Sequence, residues 1–344
     1  MKLSQPKSAR IINTSRVLYE LRQRPSVSRA ELARILELNK VSVGEITGDL
    51  INKGMVRETG KTRTENGRRP TGLSVCYDSG FVLAVDIAGK TSTIAVCNLD
   101  AKPVKFERIP TVTVGSPEEF CVSVLKSCIR NMKLIPQEKF IGAGISLSSS
   151  VLPWDDFDIA DAMETSLHIE TVAEDATKAL VNAEKLVDRN LAEKESAMYL
   201  NWGQSMSLAV ISCGRILTCG SEFGKLQVSP EADLEHICTA CEITGQKDAR
   251  LSDIWENLGD DVFHAVSKAL RAAYRITGAK LAVIGGEGAS IPDACLDKIR
   301  EVCPDFEVRR SLLGEKAGTR AAGELALDRF FYKSTMLDDI KTWV

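Results

Sequence analysis

A pattern of strand, turn, strand, turn and strand occurs twice in this sequence. The first copy, FVLAVDIAGKTSTIAVCNLDAKPVKFERI, begins at residue 81, and AMYLNWGQSMSLAVISCGRILTCG repeats the pattern about 115 residues later, which suggests an internal duplication. Helical patterns and short apolar strands lie between and after the copies, at 117–131, 141–147, 174–187, 259–277 and 281–284. Strands and helices that alternate in two similar halves predict an α/β body of two lobes. Ligands of such bodies usually bind in the cleft between the lobes.

The length and composition are those of a globular protein. The 344 residues suffice for two or three domains, and 44% of them are hydrophobic. No stretch approaches the roughly 18 apolar residues that a spanning helix needs, and the first residues, MKLSQPKSARIIN, lack the apolar region of a signal peptide. We therefore expect a cytoplasmic protein without a membrane partner, in which the 10 Cys are reduced thiols.

Charge is distributed unevenly along the chain. Residues 1–72 contain 15 Lys and Arg against 7 Asp and Glu, a net charge of +8, whereas the remainder has a net charge of −11. A small basic module on a larger acidic body is typical of a nucleic-acid-binding domain attached to another domain. A solvated helical face is the alternative, but it does not explain the asymmetry.

The basic region begins with two predicted helices. The apolar residues Val17, Leu18 and Leu21 recur at helical spacing, and the pattern stops before Pro25 because the residue that precedes proline disfavours the α conformation. A capping box, Ser28-Arg29-Ala30-Glu31, then starts a second helix.

A third helix follows a tight turn. Asn39 is a good N-cap, and Val43, Ile46 and Leu50 form the buried stripe of this helix. Three short helices with a tight second turn predict a helix-turn-helix module. The N-terminal end of the third helix in such a module enters the major groove of double-stranded DNA.

Two alternating segments after the third helix predict a β-wing. They are Met55-Val56-Arg57-Glu58 and Leu73-Ser74-Val75, with the turn signal Asn66-Gly67 between them. Small helix-turn-helix folds also serve as protein-protein modules, but the basic wing favours DNA. The candidate DNA contacts are Lys40, Val41, Ser42 and Glu45 on the third helix, and Arg68 and Arg69 in the wing.

These residues resemble a known family. The run SVSRAELARILELNKVSVGEITGDLINKGMVRETG, followed by GRRPTGLSV and GFVLAVDIAGKT, resembles the N-terminal half of regulators in the ROK family, named for repressor, open reading frame and kinase. The resemblance is weaker beyond residue 90 but keeps its order to about residue 328. It implies a winged helix-turn-helix domain at 1–74 and, over 75–344, a two-lobed sugar-kinase-like domain of the actin-like ATPase fold, which is ribonuclease H-like.

The sequence departs from this family where kinase chemistry would lie. The phosphate loop Asp-x-Gly-x-Thr of the family's kinases is Asp86-Ile87-Ala88-Gly89-Lys90 here, and their Gly-Thr-Gly turn is Gly203-Gln204-Ser205. A replaced glycine obstructs the close approach of a phosphate to the backbone. We therefore expect a body that does not bind ATP, with no catalytic residue.

The resemblance implies that Asp175 and Glu222 contact an effector. The segment Ala173-Glu174-Asp175-Ala176 keeps the Asp of the family's Glu-Asn-Asp-Ala motif but replaces the sugar-contacting Asn. The segment Ser221-Glu222-Phe223-Gly224-Lys225 keeps the Glu of Gly-Glu-x-Gly-His but lacks the His. A sugar or sugar phosphate is the effector that the resemblance implies. The altered contacts leave open a non-standard ligand or control without any sugar.

The resemblance also implies a zinc site, for which this chain offers a reduced set of ligands. The family uses the His of that motif and three Cys, whereas only His236, Cys238 and Cys241 occur here, in HICTACEITG. The Cys-x-x-Cys spacing permits two thiolates on one ion. Zinc is therefore a possible cofactor, and a metal-free loop is the alternative.

Together these features predict a sequence-specific transcriptional regulator. We expect a repressor of carbohydrate-related genes that binds two DNA half-sites as a homodimer or higher oligomer, with an inactive body for effector sensing and dimerisation. The alternatives are an ATP-dependent carbohydrate kinase with an added DNA-binding module, and a regulator controlled by protein interactions that binds no sugar.

Overall fold

A computed structural model describes residues 6–61, 71–87, 91–111, 116–133, 135–148, 157–188, 191, 194–246, 249–314 and 316–332. Within these ranges the chain forms a small helical module with a three-stranded sheet, followed by two five-stranded sheets with flanking helices. None of the helices in these ranges is both long enough and apolar enough to cross a membrane.

The N-terminal module contains the three predicted helices. They are α1 (Pro6–Gln23), α2 (Arg29–Ile35) and α3 (Lys40–Asn52). The capping box of α2 is formed, because the Ser28 hydroxyl accepts from the Glu31 amide and the Glu31 carboxylate accepts from the Ser28 amide. The N-cap of α3 is Asn39, as predicted.

The wing follows α3. Its strands β2 (Val56–Lys61) and β3 (Thr71–Val75) are antiparallel, and β1 (Val27–Ser28), which the sequence pattern did not indicate, pairs with the other edge of β3. Residues 62–70, which contain Arg68 and Arg69, lie outside the described residues. The strand β3 ends one residue beyond the predicted domain boundary at residue 74, and that boundary stays a prediction.

The first lobe contains a mixed sheet with the order β6-β5-β4-β7-β8. The strands β4, β5 and β6 form an antiparallel meander. The strand β7 is parallel to β4, and β8 is parallel to β7. The central strand β4 is almost wholly buried because it is covered on both faces. The strands are β4 (Phe81–Ile87), β5 (Thr91–Asn98), β6 (Pro103–Pro110), β7 (Phe140–Leu147) and β8 (Thr171–Asp175).

The second lobe repeats this topology. Its sheet has the order β11-β10-β9-β12-β13, again with an antiparallel meander and two parallel additions. The strands are β9 (Ser196–Trp202), β10 (Met206–Ser212), β11 (Arg215–Gly220), β12 (Leu281–Gly286) and β13 (Glu307–Arg310). The equal strand order of the two sheets confirms the predicted α/β body of two similar lobes, each ribonuclease H-like in topology.

Helices follow the strands in both lobes. The first lobe has α4 (Pro117–Met132) and α5 (Ile159–Leu167), whereas α6 (Ala176–Val187) follows β8 but packs on the second sheet. The second has α7 (Leu234–Cys238), α8 (Ala240–Thr244), α9 (Leu251–Ile254), α10 (Asp260–Thr277) and α11 (Asp293–Val302). The last helix, α12 (Ala317–Leu327), returns to the first lobe and packs on β4, β7 and α6.

Close packing of α12 on β7 depends on a glycine. A Cβ atom at Gly144 would lie 2.0 Å from the Ala322 carbonyl oxygen, so a larger residue in β7 would push α12 off the sheet. Beyond α12 the chain makes one wide turn, Asp328–Tyr332, which contacts α1. Side chains of the module and of the first lobe form one apolar core, in which Leu21 and Ala326 are both fully buried.

Candidate DNA-binding surface and interlobe cleft

The exposed side of α3 is the candidate DNA-reading surface. Val43, Ile46 and Leu50 are buried as predicted. Lys40 and Val41 are exposed, and Val41 retains 71% of its surface although it is apolar. The N-terminal turn of α3 therefore presents one cation and one branched apolar side chain outward. These are the side-chain types that contact guanine or phosphate and the thymine methyl group.

Two further predicted contacts on α3 have different surroundings. Ser42 is half-buried, and its backbone amide donates to Asn39 Oδ1 at 2.7 Å, as part of the helix cap. Glu45 is exposed, but its Oε2 lies 3.7 Å from Arg10 Nη1 on α1. Arg10 also donates to Asp49 on the next turn of α3. Glu45 must therefore break its ion pair with Arg10 before its carboxylate can accept a hydrogen bond from a DNA base.

Arg10 was missed by the sequence analysis. It stands 35 positions before Glu45, so no local spacing indicates the contact. The Arg10 guanidinium partly neutralises the carboxylates of Glu45 and Asp49, so the face that DNA would approach carries less negative charge. The chain leaves open space at Gly44 and Gly48 of the same helix, because a Cβ atom there would meet no atom within 4 Å among the described residues.

A cavity of about 590 Å³ lies in the cleft between the lobes. Side chains of both sheets line it, including Asp86 and Ser146 from the first lobe and Asn201 and Glu287 from the second. The turn at Gly203 also lines it, but the Gly203 amide donates to the Ser205 carbonyl at 3.2 Å. Because the Gly203 amide donates within its own turn, it does not point at a phosphate. This agrees with the sequence, in which Ser205 replaces the last glycine of the family's Gly-Thr-Gly turn.

Asp86 is the most perturbed carboxyl group in the cleft. It is paired in register with Ser146 across β4 and β7, and its Oδ1 has no hydrogen-bond partner among the described residues. Burial raises the pKa of Asp86 to about 7, against a smaller opposite effect of the Ser146 hydroxyl. Gly318 of α12 leaves room for this carboxyl, because a Cβ atom there would lie 2.1 Å from Asp86 Oδ2.

Neither of the two predicted effector contacts lines this cavity, although Ala176, which follows Asp175, does. Asp175 caps α6, since its Oδ1 accepts from the amides of Thr177 at 3.0 Å and Lys178 at 3.1 Å. The same oxygen accepts from the Cys219 thiol at 3.4 Å, and burial together with this carboxylate raises the pKa of Cys219 to about 12. Glu222 is exposed, three residues after Cys219. The roles of Asp175 and Glu222 as effector contacts stay predictions.

Among the described residues the three predicted zinc ligands do not form one group, and zinc binding stays a prediction. Cys238 is fully buried in the core of the second lobe, where its thiol donates to the Val262 carbonyl at 3.7 Å, and burial raises its pKa far above the ordinary value. His236 is on the surface with Nδ1 3.3 Å from Glu242 Oε2, and Cys241 lies 3.6 Å from the Thr239 hydroxyl. Among the described residues no group of three or more His, Cys, Asp and Glu side chains could hold a metal ion.

Comparison with curated proteins finds xylose repressors. The chain is 29% identical over 139 residues to the xylose repressor of Caldicellulosiruptor bescii, which covers 40% of this chain and 35% of that protein. It is 21% identical over 216 residues to the xylose repressor of Bacillus subtilis, which covers 58% of this chain and 55% of that protein. The chain thus spans between about a third and about half of the length of these two relatives. No family model matches the chain.

Solved structures share the fold over almost the whole chain. A ROK family transcriptional regulator, described as a homologue of the Escherichia coli MLC protein, superposes with a TM-score of 0.73 at 16% identity, covering 97% of this chain and 100% of that one. A ROK family glucokinase from Streptomyces griseus has a TM-score of 0.59 at 15% identity and covers 72% of this chain. The chain thus shares the fold of this ROK family regulator, and part of its sequence is similar to xylose repressors.

Proposed function

We propose that this protein is a DNA-binding transcriptional repressor of carbohydrate-related genes. The observation that supports this most directly is the outward-facing N-terminal turn of α3, with Lys40 and Val41 exposed, in a winged helix-turn-helix module joined to a ROK body. The relatives named as xylose repressors favour the same class of protein. The net charge of +8 on residues 1–72 supports contact with the phosphate backbone.

The body acts in this proposal as a sensor and dimerisation domain. A sugar or sugar phosphate in the interlobe cleft binds the two arrangements of the lobes with different affinity and so shifts the protein between them. Asp175 and Glu222 are the proposed contacts; Asp175 directly precedes Ala176, which lines the cavity. Binding as a homodimer presents two copies of α3 to two half-sites. A cytoplasmic location stays a prediction.

Kinase activity is the second candidate, and the altered phosphate turns disfavour it. The Gly203 amide donates to the Ser205 carbonyl within its own turn, so it does not point at a phosphate. Ala88 and Ser205 stand where the family's kinases have glycines, and a side chain there obstructs the close approach of a phosphate to the backbone. We therefore propose that the body has no phosphoryl-transfer activity.

The proposal is tested by selecting genomic fragments with the full chain at two salt concentrations and measuring affinity by mobility shift. Lys40→Ala is expected to weaken binding about tenfold and, if Lys40 binds a phosphate, to lower the salt slope by about 1. Lys53→Ala removes the same charge just beyond the other end of α3 and serves as the matched control. Arg68→Ala with Arg69→Ala tests the wing in the same assay.

Three outcomes would count against the proposal. Binding without sequence preference would reduce the module to a general basic patch. Equal losses of DNA affinity in Lys40→Ala and Lys53→Ala would show that the N-terminal turn of α3 is not part of the DNA interface. Absence of any DNA binding would favour a body that acts through protein partners.

A further inference from the structure

The DNA-binding module is joined to the body by a buried ion pair. Arg22, in the last turn of α1, donates to Glu324 of α12, and their side chains are only 6% and 3% exposed. The Arg22 guanidinium also stacks on the Tyr332 ring, 4.8 Å from its centroid, and the Tyr332 hydroxyl donates to the Leu99 carbonyl at 3.0 Å. A buried charge of this kind needs a partner in every arrangement that the junction adopts.

A cavity of about 450 Å³ lies next to this ion pair. Arg22, Asp100, Arg320 and Glu324 all line it. Two buried atoms of these side chains have no hydrogen-bond partner among the described residues, namely Glu324 Oε2 and Arg320 Nε. The two residues are four positions apart on α12, the spacing at which opposite charges pair on a helix. Glu324 thus has a second cationic partner within reach of the same cavity.

Arg22 also has a second partner there. Asp100 contributes to the electrostatic environment of Arg22, and its Oδ2 pairs at present with the exposed Lys102, at 2.7 Å. If Glu324 turned to Arg320 and Arg22 to Asp100, both arginines and both carboxylates would stay paired. The exchange therefore avoids the cost of an isolated buried charge.

The other end of α12 lies in the interlobe cleft. Ala317 and Gly318 line the cavity between the lobes, and Gly318 lies against the Asp86 carboxyl. Gly318 and Glu324 are six residues apart, about 9 Å along a helix. A ligand that displaces the first turn of α12 would therefore move Glu324 relative to α1.

We propose that Glu324 is a two-position latch between the body and the DNA-binding module. Paired with Arg22 it holds α1 on the body and fixes the position of α3. When Glu324 pairs with Arg320, Arg22 pairs instead with Asp100, which is more exposed than Glu324, so that α1 is held less firmly and can shift on the body. The latch rests on the proposed function, because it describes how occupancy of the cleft would alter the placement of the DNA-reading helix. Arg22 and Arg320 are positioning residues in this scheme, and neither is proposed to contact DNA.

The test compares amide hydrogen exchange in the full chain carrying Glu324→Gln, Arg320→Gln or the exposed control Arg329→Gln. Glu324→Gln is expected to speed exchange in residues 16–23 about tenfold and to weaken DNA binding by a similar factor. Arg320→Gln removes the alternative partner, so exchange in the same segment should slow by a similar factor. Arg329→Gln should change neither quantity.

A double variant guards against misfolding of Glu324→Gln. Arg22→Leu with Glu324→Leu removes both charges, and adding Arg320→Gln to it should no longer affect exchange in residues 16–23. Faster or unchanged exchange with Arg320→Gln in the otherwise unaltered chain would overturn the latch, because Arg320 would then only support the junction. Hydrogen exchange reports on the latch without DNA, so failure of the repressor proposal would appear separately, as absent DNA binding with the expected exchange pattern.

Discussion

Burial of Asp86 predicts a pH dependence of stability that can be measured directly. The folded protein keeps the proton on Asp86 up to about pH 7, whereas the unfolded chain loses it near the ordinary value of 3.8. The folded state therefore binds more protons between these two values, and the free energy of unfolding falls as the pH rises through this window. Each pKa unit corresponds to about 1.4 kcal/mol, so the full effect is about 4 kcal/mol.

The replacement Asp86→Asn isolates this effect. Asparagine has nearly the shape of the protonated carboxyl group and cannot ionise, so at pH 5, about 1.2 units above the ordinary pKa of 3.8, the variant should already be more stable than the unaltered protein by about 1.6 kcal/mol. By pH 8, above both pKa values, the difference in the free energy of unfolding should reach about 4 kcal/mol. Arg108 and Lys316 line cavities beside Asp86, but neither forms an ion pair with it among the described residues.

Urea denaturation at pH 5 and pH 8 measures the two free energies. Asp305→Asn, at an exposed position in the turn before β13, is the matched control and should show no such difference between the two pH values. A variant Asp86→Asn that followed the pH dependence of the unaltered protein would refute the reasoning. Greater destabilisation by Asp86→Asn at pH 8 than at pH 5 would show instead that a cation stabilises the ionised carboxylate.

Three further changes have defined expectations. Ser28→Ala should lower the free energy of unfolding by about 1 kcal/mol, since the first turn of α2 loses its cap; no loss in urea denaturation would mean that water replaces the hydroxyl. Gly318→Ala should cost more than about 2 kcal/mol, because its methyl group would overlap the Asp86 carboxyl, and adding Asp86→Ala should recover much of that loss. Dialysis against a chelator should leave the melting temperature unchanged, as the Cys238 thiol is enclosed in the core; a lower melting temperature would point to a metal.

Local features of the module were predictable from the sequence alone. The cap at Ser28, the cap at Asn39 and the buried stripe of Val43, Ile46 and Leu50 all appear as predicted. Each depends on contacts within about four residues along the chain, so spacing is sufficient to indicate it. The repeated meander was equally predictable, because a buried strand is a short apolar run bounded by turn signals.

Features that depend on distant residues could not be predicted from spacing. The zinc prediction followed the spacing of Cys238 and Cys241, yet spacing does not say which face of a short helix is buried, and Cys238 faces the core. The sequence analysis identified Asp86 only as the retained Asp of an altered phosphate loop. It gave no indication that burial raises the pKa of this carboxyl group.

The sequence by itself determined the winged helix-turn-helix module, the two similar lobes and the division of charge between module and body. It could do so because helix caps, apolar periodicity and net charge are properties of short segments. Only the tertiary structure decided that Arg22 meets Glu324, 302 positions later, in a cavity that also holds Asp100 and Arg320. The physical reason is that burial and ion pairing at this junction arise only when α12 returns across the first lobe to α1, and no local pattern encodes that return.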